Sequence, residues 1–198
     1  NGLMISAFAK AAQAFDDKIY AEAAEKSYSF IEKYLTGKDG RLIHRFRDGE
    51  SGLQAHIDDY AFMINALIDL YETTFEIKFL KRAIELNEIL MKEFWDEQNG
   101  GFYFTSSKSE ELIAKQKDVY DGAVPSGNSV ALLNLIRLSR FTGNIYFEKK
   151  ASVLVKYFSG FVSRSPSAFC MFMCGLDFQY SISTEIVIVS EKKESIVT

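Results

Sequence analysis

One pattern occurs three times in this chain of 198 residues, and it limits the possible folds more than any other feature. Two segments with apolar residues at helical spacing are joined by a short turn in residues 1–35, 58–94 and 126–163. The copies align at spacings of 59 and 68 residues, and in each copy an aromatic residue precedes an alanine by four positions. These pairs are Tyr20 with Ala24, Phe79 with Ala83, and Phe147 with Ala151. Since residues four apart share a helix face, we predict three equivalent helical hairpins.

The connections between the predicted helices alternate between short and long. About three residues join the two helices of a hairpin, whereas residues 36–57 and 95–125 connect one hairpin to the next. Because consecutive helices alternate in direction, every long connection falls at one end of the stack, and long loops in compact domains are often functional. The irregular spacing differs from the fixed repeat of about 34 residues in helical solenoids. We therefore predict an all-α fold of antiparallel helical hairpins, about half of an (α/α)6 toroid.

Other segments of the chain favour shorter elements. Residues 40–49 and 100–105 alternate like strands between glycine turns, so both long connections should carry short β pieces. A Ser-Pro pair predicts the start of an extra helix over residues 167–178, and a β-branched run predicts a C-terminal strand at residues 185–190. The predicted division of the chain is a partial toroid in residues 1–180, followed by the strand and tail of an incomplete segment in residues 181–198.

The composition excludes several classes of protein. A net charge of −4 and a pI near 5.3 argue against nucleic acid as a partner, because phosphate binding needs clustered Lys and Arg. No apolar run approaches the ~18 residues of a membrane span. The two cysteines, Cys170 and Cys174, share a helix face and are predicted to lie in a buried apolar stripe rather than a redox or disulfide site. Two cysteines are too few for a secreted disulfide framework, so we expect a cytoplasmic protein. The sequence has no P-loop or dinucleotide-binding turn, and we expect no cofactor.

Several motifs in the chain also carry a family resemblance. They are HIDDYAFMI at residues 56–64, LYETTF at 70–75, FWD at 94–96, GGFYFT at 100–105, DGAVPSGNSVA at 121–131 and EIVIV at 185–189. In this order they resemble the YyaL-like thioredoxin-domain-containing proteins, the relatives of spermatogenesis-associated protein twenty. The resemblance implies an N-terminal thioredoxin-like domain followed by a six-hairpin glycosidase-like toroid, similar to those of N-acylglucosamine 2-epimerases and several glycoside hydrolases. Only the later part of the toroid is matched, so the implied partners of this fragment are the remainder of the toroid and the thioredoxin-like domain.

Carboxylates at the predicted functional end are the first candidates for chemistry. Asp58 and Asp59 open the third helix, and Asp121 opens the motif before the fifth. Glycoside cleavage needs one carboxyl group to protonate the leaving oxygen and a second as base or nucleophile. Asp59 and Asp121 are therefore catalytic candidates, and Asp58 is a substrate-binding candidate. The alternative is structural, because aspartates at helix starts and in Asp-Gly turns often only bind backbone amides.

Both histidines of the chain lie in the first long connection. His44 and His56 could serve as acid and base in an epimerisation beside a carbonyl, because imidazole titrates near neutral pH. His56 is therefore a third catalytic candidate, while His44 and Arg45 are substrate-binding candidates. A histidine beside a helix start is, alternatively, a residue that only forms structural hydrogen bonds. A spacing of twelve residues is not a short-spaced zinc signature, so the sequence predicts no metal site.

Aromatic and small polar residues complete the candidate site. Trp95, Tyr103 and Tyr120 flank the second long connection and could stack against sugar rings. Ser126 and Asn128 open the fifth helix and could donate hydrogen bonds to sugar hydroxyls. The alternatives are that Trp95 belongs to the core and that Ser126 and Asn128 only cap the helix.

The sequence leads to one functional hypothesis and two alternatives. The leading hypothesis is a carbohydrate-interacting, glycosidase-like (α/α)6 domain of a thioredoxin-domain-containing protein, with acid/base groups that act on a sugar. It requires Asp59 and Asp121 to lie at the same end of the stack. The first alternative is a non-catalytic helical scaffold or partner-binding module attached to a thioredoxin-like domain. The second is a sugar epimerase or isomerase, which requires His44 and His56 to face one cavity.

Overall fold

A computed structural model describes residues 1–109, 115–182 and 184, and this part of the chain is mostly helical. Its long helices form three antiparallel pairs: α1 (Gly2–Phe15) with α2 (Lys18–Tyr34), α3 (Ile57–Thr74) with α4 (Ile77–Phe94), and α5 (Gly127–Thr142) with α6 (Ile145–Val162). A single 3-10 turn, Pro166–Ala168, leads into α7 (Cys170–Tyr180). The predicted all-α fold of antiparallel hairpins is confirmed, whereas the strand predicted at residues 185–190 lies outside the described residues.

Each hairpin turns sharply because the first helix ends on a residue in the left-handed conformation. Asp16, Phe75 and Gly143 have φ of 50°, 56° and 67°, and the N–H of each one donates to a carbonyl four residues earlier. In the first and third hairpins, Asp17 and Asn144 then cap the second helix with a side-chain oxygen. These local signals make the short turns, which therefore all lie at one end of the stack.

The helices form two rows. In the inner row α1 packs on α3, α3 on α5, and α5 on α7, while α2, α4 and α6 each pack on their own hairpin partner in an outer row. The repeated pairs lie at the contact between the rows, where Phe79, Phe147 and the equivalent alanines are buried. Leu132 lies so close to Gly175 of α7 that a Cβ there would come within 2.9 Å of a leucine methyl. Such contacts hold successive inner helices in register, with α7 as the first helix of a fourth repeat.

The inner helix α7 differs from its predicted packing in one respect. It packs on α5, where Gly175 faces Leu132, and its buried Phe172 lies edge-on to Phe158 of α6. Cys170 and Cys174 are exposed, so the predicted buried stripe was wrong. The reason is a rotation that sequence periodicity does not define, because α7 is apolar on almost every side. No described helix is long and apolar enough to cross a membrane.

An ion-pair ladder joins the three inner helices of the hairpins. Lys10, Asp69 and Arg137 occupy equivalent positions in the three copies, at the same spacings of 59 and 68 residues. Arg137 Nη2 lies 2.6 Å from Asp69 Oδ1, and Lys10 Nζ lies 3.3 Å from the same oxygen. Burial alone would raise the pKa of Glu72, but the adjacent Arg137 and Lys10 outweigh it and hold this pKa below its ordinary value. The ladder therefore keeps the buried charge of Asp69 compensated.

The first long connection forms a β-hairpin at the other end of the stack. Strands β1 (Ile43–Arg47) and β2 (Glu50–Gln54) are antiparallel, and Asp48 and Gly49 make the turn with φ of 54° and 85°. Phe46 of β1 packs edge-on against the ring of Phe30 on α2, with ring centroids 5.3 Å apart. Within its described residues, the second connection has only an isolated bridge between Trp95 and Phe102 instead of the expected strand pieces.

Asn87 of α4 provides a test of the core. Its side chain is 1% exposed, and neither amide atom has a hydrogen-bond partner in the described structure. We expect Asn87→Leu to raise the free energy of unfolding by about 1–2 kcal/mol in urea denaturation, because an unpaired buried amide is removed. Asn134→Leu is the matched control, since Asn134 Nδ2 donates to the Ala61 carbonyl at 2.8 Å and its loss should destabilise. A loss of stability in both variants would contradict this view of Asn87.

Candidate functional site

The candidate site is built around the N-terminus of α3. The β-hairpin folds back over this helix end, so that His44 of β1 comes next to His56 and Asp59. Asp59 Oδ2 lies 2.8 Å from His44 Nδ1 and 3.9 Å from His56 Nδ1, and it also accepts the backbone N–H of His56 at 2.8 Å. The two imidazole rings meet edge to face, with centroids 5.0 Å apart. Both histidines of the chain therefore converge on one carboxylate.

The second long connection supplies one wall of this histidine cluster. Phe104 stacks on His56, with ring centroids 4.6 Å apart and planes inclined by 21°. Its carbonyl accepts the N–H of Ile57 at 3.1 Å, which ties the connection to the first turn of α3. The side chains of His44, His56 and Asp59 are 43%, 31% and 28% exposed, so a ligand can reach the cluster.

Asp59 orients the imidazole of His44. A carboxylate that accepts from Nδ1–H favours the tautomer in which Nε2 carries the lone pair, and Nε2 of His44 has no partner among the described residues. Such an imidazole can accept a proton from a ligand. His56 lies beside it and forms a capping box with Asp59 at the first turn of α3, and its Nδ1 lies 3.9 Å from the Asp59 carboxylate. The cluster thus provides two adjacent groups that can exchange protons with one ligand.

The backbone of the β-hairpin is irregular opposite His44. Ile43 pairs with Gln54 and Arg45 with Gly52, but the pair between His44 and Leu53 is missing from the ladder. Leu53 has a φ of 66° and an exposed side chain, although leucine rarely adopts this left-handed conformation. Such conformations cost about 1–3 kcal/mol and are found preferentially at functional sites.

A small cavity lies on the other side of the α3 N-terminus. It has a volume of about 130 Å³, and its walls include Asp58, Phe104, Asp118, Tyr120 and Ser126. Burial raises the pKa of Asp58 above its ordinary value, and the negative charges of Asp59 and Asp118 raise it further. The hydrogen bond from the N–H of Gly127 lowers this pKa but does not cancel the increase. Phe104 is common to this cavity and to the histidine cluster, so the two form adjacent parts of one surface.

A larger cavity shares the β-hairpin. Its volume is about 680 Å³, and its walls include residues of β2 together with Ile43 and Tyr60, the sequence neighbours of His44 and Asp59. Arg41 and Lys108 lie 2.5 and 3.2 Å from Glu93 at its edge. Burial would raise the pKa of Glu93, but these two cations hold it below its ordinary value. The size is typical of sites for small molecules.

Asp121 does not pair with Asp59 as the glycosidase hypothesis expects, because its carboxylate binds backbone N–H groups. Its Oδ1 accepts the N–H of Ser126 at 2.9 Å, and its Oδ2 accepts the N–H groups of Met171 and Phe172 at 2.8 and 3.0 Å. Both carboxylates lie at the long-connection end of the stack, but Asp121 caps α7 whereas Asp59 binds the histidines. Three backbone donors occupy the Asp121 carboxylate, which favours the structural alternative for this residue.

Three more of the predicted substrate-binding residues make their contacts mainly within the protein. Asn128 is 1% exposed, and its amide binds both backbone groups of Phe102 and the carbonyl of Asp118. Ser126 caps α5 through the N–H of Ser129, although it also lines the small cavity. Trp95 is buried with its edge against Phe102.

The remaining candidates, Tyr103, Tyr120 and Arg45, have different surroundings. Tyr103 donates from its hydroxyl to Asp96 at 3.0 Å, whereas Tyr120 is exposed at the small cavity. Arg45 is exposed on the β-hairpin and forms no ion pair with described residues. The structure thus brings together His44, His56 and Asp59, with Asp58, Tyr120 and Ser126 at the adjoining cavity.

Sequence reasoning missed Asp118 and Phe104. Both contribute to the small cavity, and Phe104 also stacks on His56. Phe104 belongs to the motif at residues 100–105, whose alternation predicts a strand piece and does not distinguish this ring from the other aromatic residues there. Asp118 lies three residues before Asp121, and only this proximity could have drawn attention to it.

The two rows of helices and the site at the long-connection end define a six-hairpin, glycosidase-like (α/α)6 toroid fold, of which the chain contains part. Cellobiose 2-epimerase from Bacillus thermoamylovorans aligns with 79% of this chain and 42% of its own, at a TM-score of 0.65 and 18% identity. A D-mannose isomerase aligns with 79% and 40%, at a TM-score of 0.62 and 19% identity. The GH76 α-mannanase BT2949 of Bacteroides thetaiotaomicron aligns with 79% and 42%, at a TM-score of 0.64 and 16% identity.

In sequence the chain is related to spermatogenesis-associated protein 20. The human protein is 32% identical over 203 residues, which cover 98% of this chain and 26% of the human protein. An uncharacterized protein of Caenorhabditis elegans is 33% identical over 205 residues, which cover 100% of this chain and 28% of that protein. The chain therefore spans about a quarter of the length of these relatives. No protein-family model matches it.

The capping role of Asp121 can be tested directly. We expect Asp121→Asn to destabilise the α7 N-terminus by about 1–2 kcal/mol, because the amide loses the charge that favours a helix start and one of its acceptor oxygens. The amides of Met171 and Phe172 should exchange faster with deuterium than in the unsubstituted protein. Asp118→Asn is the control, since among the described residues the Asp118 side chain accepts only the N–H of Tyr120. Unchanged exchange at both amides in Asp121→Asn would contradict the role.

Asp96 anchors the second connection through its ion pair with Lys117, and we expect this anchoring to depend on pH. Burial would raise its pKa, but the buried Lys117 at 2.7 Å, Asn99 and the N–H of Gln98 outweigh it and lower the pKa below its ordinary value. Because the pKa of Asp96 is lower in the folded state than in the unfolded state, ionised Asp96 stabilises the fold at any pH above about 4, the pKa of an unfolded Asp. This stabilisation is lost as the pH falls from that value through the pKa of the folded state. In urea denaturation, Asp96→Asn should be less stable at neutral pH and lose less stability below about pH 4.

A matched variant separates this effect from a general change in charge. Glu97→Gln removes a neighbouring carboxylate that is 73% exposed and pairs with Lys150 at the surface. We expect it to retain the acid dependence of the unsubstituted protein, because exposed pairs contribute little. Equal acid dependence in both variants would show that Asp96 is not the group responsible.

Proposed function

We propose that this chain is part of a carbohydrate-interacting (α/α)6 domain in which His44, His56 and Asp59 form an acid/base centre. The observation that carries the proposal is the convergence of both histidines on the Asp59 carboxylate at the long-connection end. The fold supports a sugar ligand, because neighbours with this fold include a cellobiose 2-epimerase, a D-mannose isomerase and a GH76 α-mannanase. Asp58, Tyr120 and Ser126 would contact the ligand from the small cavity.

The reaction class that this arrangement favours is epimerisation or isomerisation of a reducing sugar. The imidazole of His44, oriented by Asp59, would take the proton from the carbon beside the sugar carbonyl, and His56 would exchange a proton with the carbonyl oxygen. These two transfers give an enediol. Return of a proton to the same carbon on the opposite face, from the second imidazole, with loss of the proton from the former carbonyl oxygen gives an epimer. Its return to the former carbonyl carbon, with loss of the proton from the neighbouring hydroxyl, gives an isomer. Glycoside cleavage by Asp59 and Asp121 is less well supported, because backbone donors occupy the Asp121 carboxylate.

The test uses the full-length protein with a panel of reducing sugars in deuterated water. Proton nuclear magnetic resonance would detect deuterium incorporation beside the carbonyl. We expect His44→Gln and His56→Gln to slow the exchange by at least about a hundredfold, the usual scale of general acid–base catalysis. Arg47→Gln is the control on the same hairpin, since within the described part of the chain Arg47 pairs only with the exposed Asp48. Exchange that persists unchanged in both histidine variants would refute the acid/base assignment.

A non-catalytic scaffold or partner-binding module is the second candidate. It is supported by the number of polar motif residues that form structural hydrogen bonds, above all Asp121 and Asn128. If sugars neither exchange deuterium nor perturb the histidine resonances of the full-length protein, this candidate is favoured. We further propose, from the resemblance in sequence, that the intact protein is cytoplasmic and carries a thioredoxin-like domain and the remainder of the toroid.

A further inference from the structure

The histidine cluster has a second chemical property that proton transfer does not use. One ring nitrogen of His44, one of His56 and a carboxylate oxygen of Asp59 all lie within 4.8 Å of one another. Two imidazoles and one carboxylate are a common ligand set for zinc and other divalent first-row metal ions in sites that keep an open position. In the described part of the chain, no other group of three His, Cys, Asp or Glu side chains is this close.

The distances are near those that coordination requires. Ligand atoms around a tetrahedral zinc ion are about 3.3 Å apart, as follows from metal–ligand bonds of about 2.0–2.1 Å. The two distances from Asp59 Oδ2 to the imidazole Nδ1 atoms, 2.8 and 3.9 Å, lie on either side of this value. Binding an ion would replace the hydrogen bond of His44, whose ring proton would move to Nε2 so that Nδ1 carries the lone pair. All three side chains are partly exposed, so small side-chain rotations can bring the donors to equal distances from an ion.

The surroundings hold the ligands in place without using all their donor atoms. Asp59 Oδ2, from which these distances are measured, would bind the ion, and Oδ1, which has no partner among the described residues, can then accept the N–H of His56. Phe104 stacks on the ring of His56, and the ring of His44 meets that of His56 edge to face. Preorganised ligands of this kind lose less conformational freedom on binding.

The local charge also favours a cation. Asp58 and Asp118 line the adjoining cavity, and neither forms an ion pair with a described Lys, Arg or His. The N-terminus of α3 has the opposite effect, because its dipole disfavours a positive ion. Three carboxylates around one helix end outweigh this partial charge.

We propose that His44, His56 and Asp59 bind a divalent first-row transition-metal ion, with the fourth position open to an oxygen of water or of a ligand. The inference concerns the residues of the proposed acid/base centre, but metal binding is measured without sugar and does not depend on catalysis. A bound ion would add a Lewis acid to the site, which could polarise a sugar carbonyl or hydroxyl.

The experiment is a titration of the full-length protein with Co²⁺ and Zn²⁺ in a background in which Cys170→Ser and Cys174→Ser remove the exposed thiols. We expect one equivalent of Co²⁺ to bind through His44, His56 and Asp59, with the visible absorption of a tetrahedral or five-coordinate site and displacement by Zn²⁺. Co²⁺ should also shift or broaden the resonances of both His44 and His56, which are the two histidines of the 198-residue chain.

Variants of the ligands separate this site from adventitious binding. His44→Gln, His56→Gln and Asp59→Asn should each weaken the metal affinity by at least about tenfold. Asp59→Asn keeps an oxygen that can accept the N–H of His56, so the start of α3 should persist in circular dichroism. Asp118→Asn is the control for nearby charge, and we expect it to change the affinity by less than the ligand variants. Absence of saturable binding in the background without Cys170 and Cys174, or equal affinity in the histidine variants, would overturn the proposal.

Discussion

Close packing between successive inner helices is the constraint on which the rest of the structure depends. At Gly127 of α5, a Cβ would overlap the side chains of Ile57 and Asp58 on α3, and at Gly175 of α7 it would press on Leu132 of α5. Helices this close must stay in register, so their N-termini lie side by side at one end of the stack. Every long connection has to begin or end there, and the hairpin and the second connection meet over α3 for this reason.

Buried polar groups then fix the paths of the connections. Asn128 binds the second connection through Phe102 and Asp118, and Asp121 holds the start of α7. Burying an amide or a carboxylate is costly unless it is hydrogen-bonded, so each anchor allows only one arrangement of the backbone around it. The residues that look most catalytic in sequence are therefore largely occupied with structure. The histidines, which are twelve residues apart in the first connection, are the groups left free to bind a ligand.

The sequence predicted the architecture well because helical periodicity and short turn signals are local. The three hairpins and the long connections at one end all follow from spacing within windows of about eighteen residues. The face on which α7 packs does not follow, since its apolar residues surround the helix, and the exposed Cys170 and Cys174 show the consequence. The sequence predicted that the candidate residues lie near the helix ends at the long connections, but it did not predict the partner of each residue. Phe104 and Asp118 had no chemical signal in the sequence that distinguished them from loop residues.

What the sequence determined by itself is the repeated hairpin, the position of its turns and the end of the stack at which polar motifs gather. These properties depend on residues three or four positions apart, whose relative placement a helix fixes. Only the tertiary structure decided that Asp121 caps α7, that Asp59 binds His44, and that the two imidazoles meet. These contacts join segments whose separation in space depends on how the β-hairpin and the second connection fold back over α3. That folding results from packing and buried hydrogen bonds between distant parts of the chain, which local spacing does not encode.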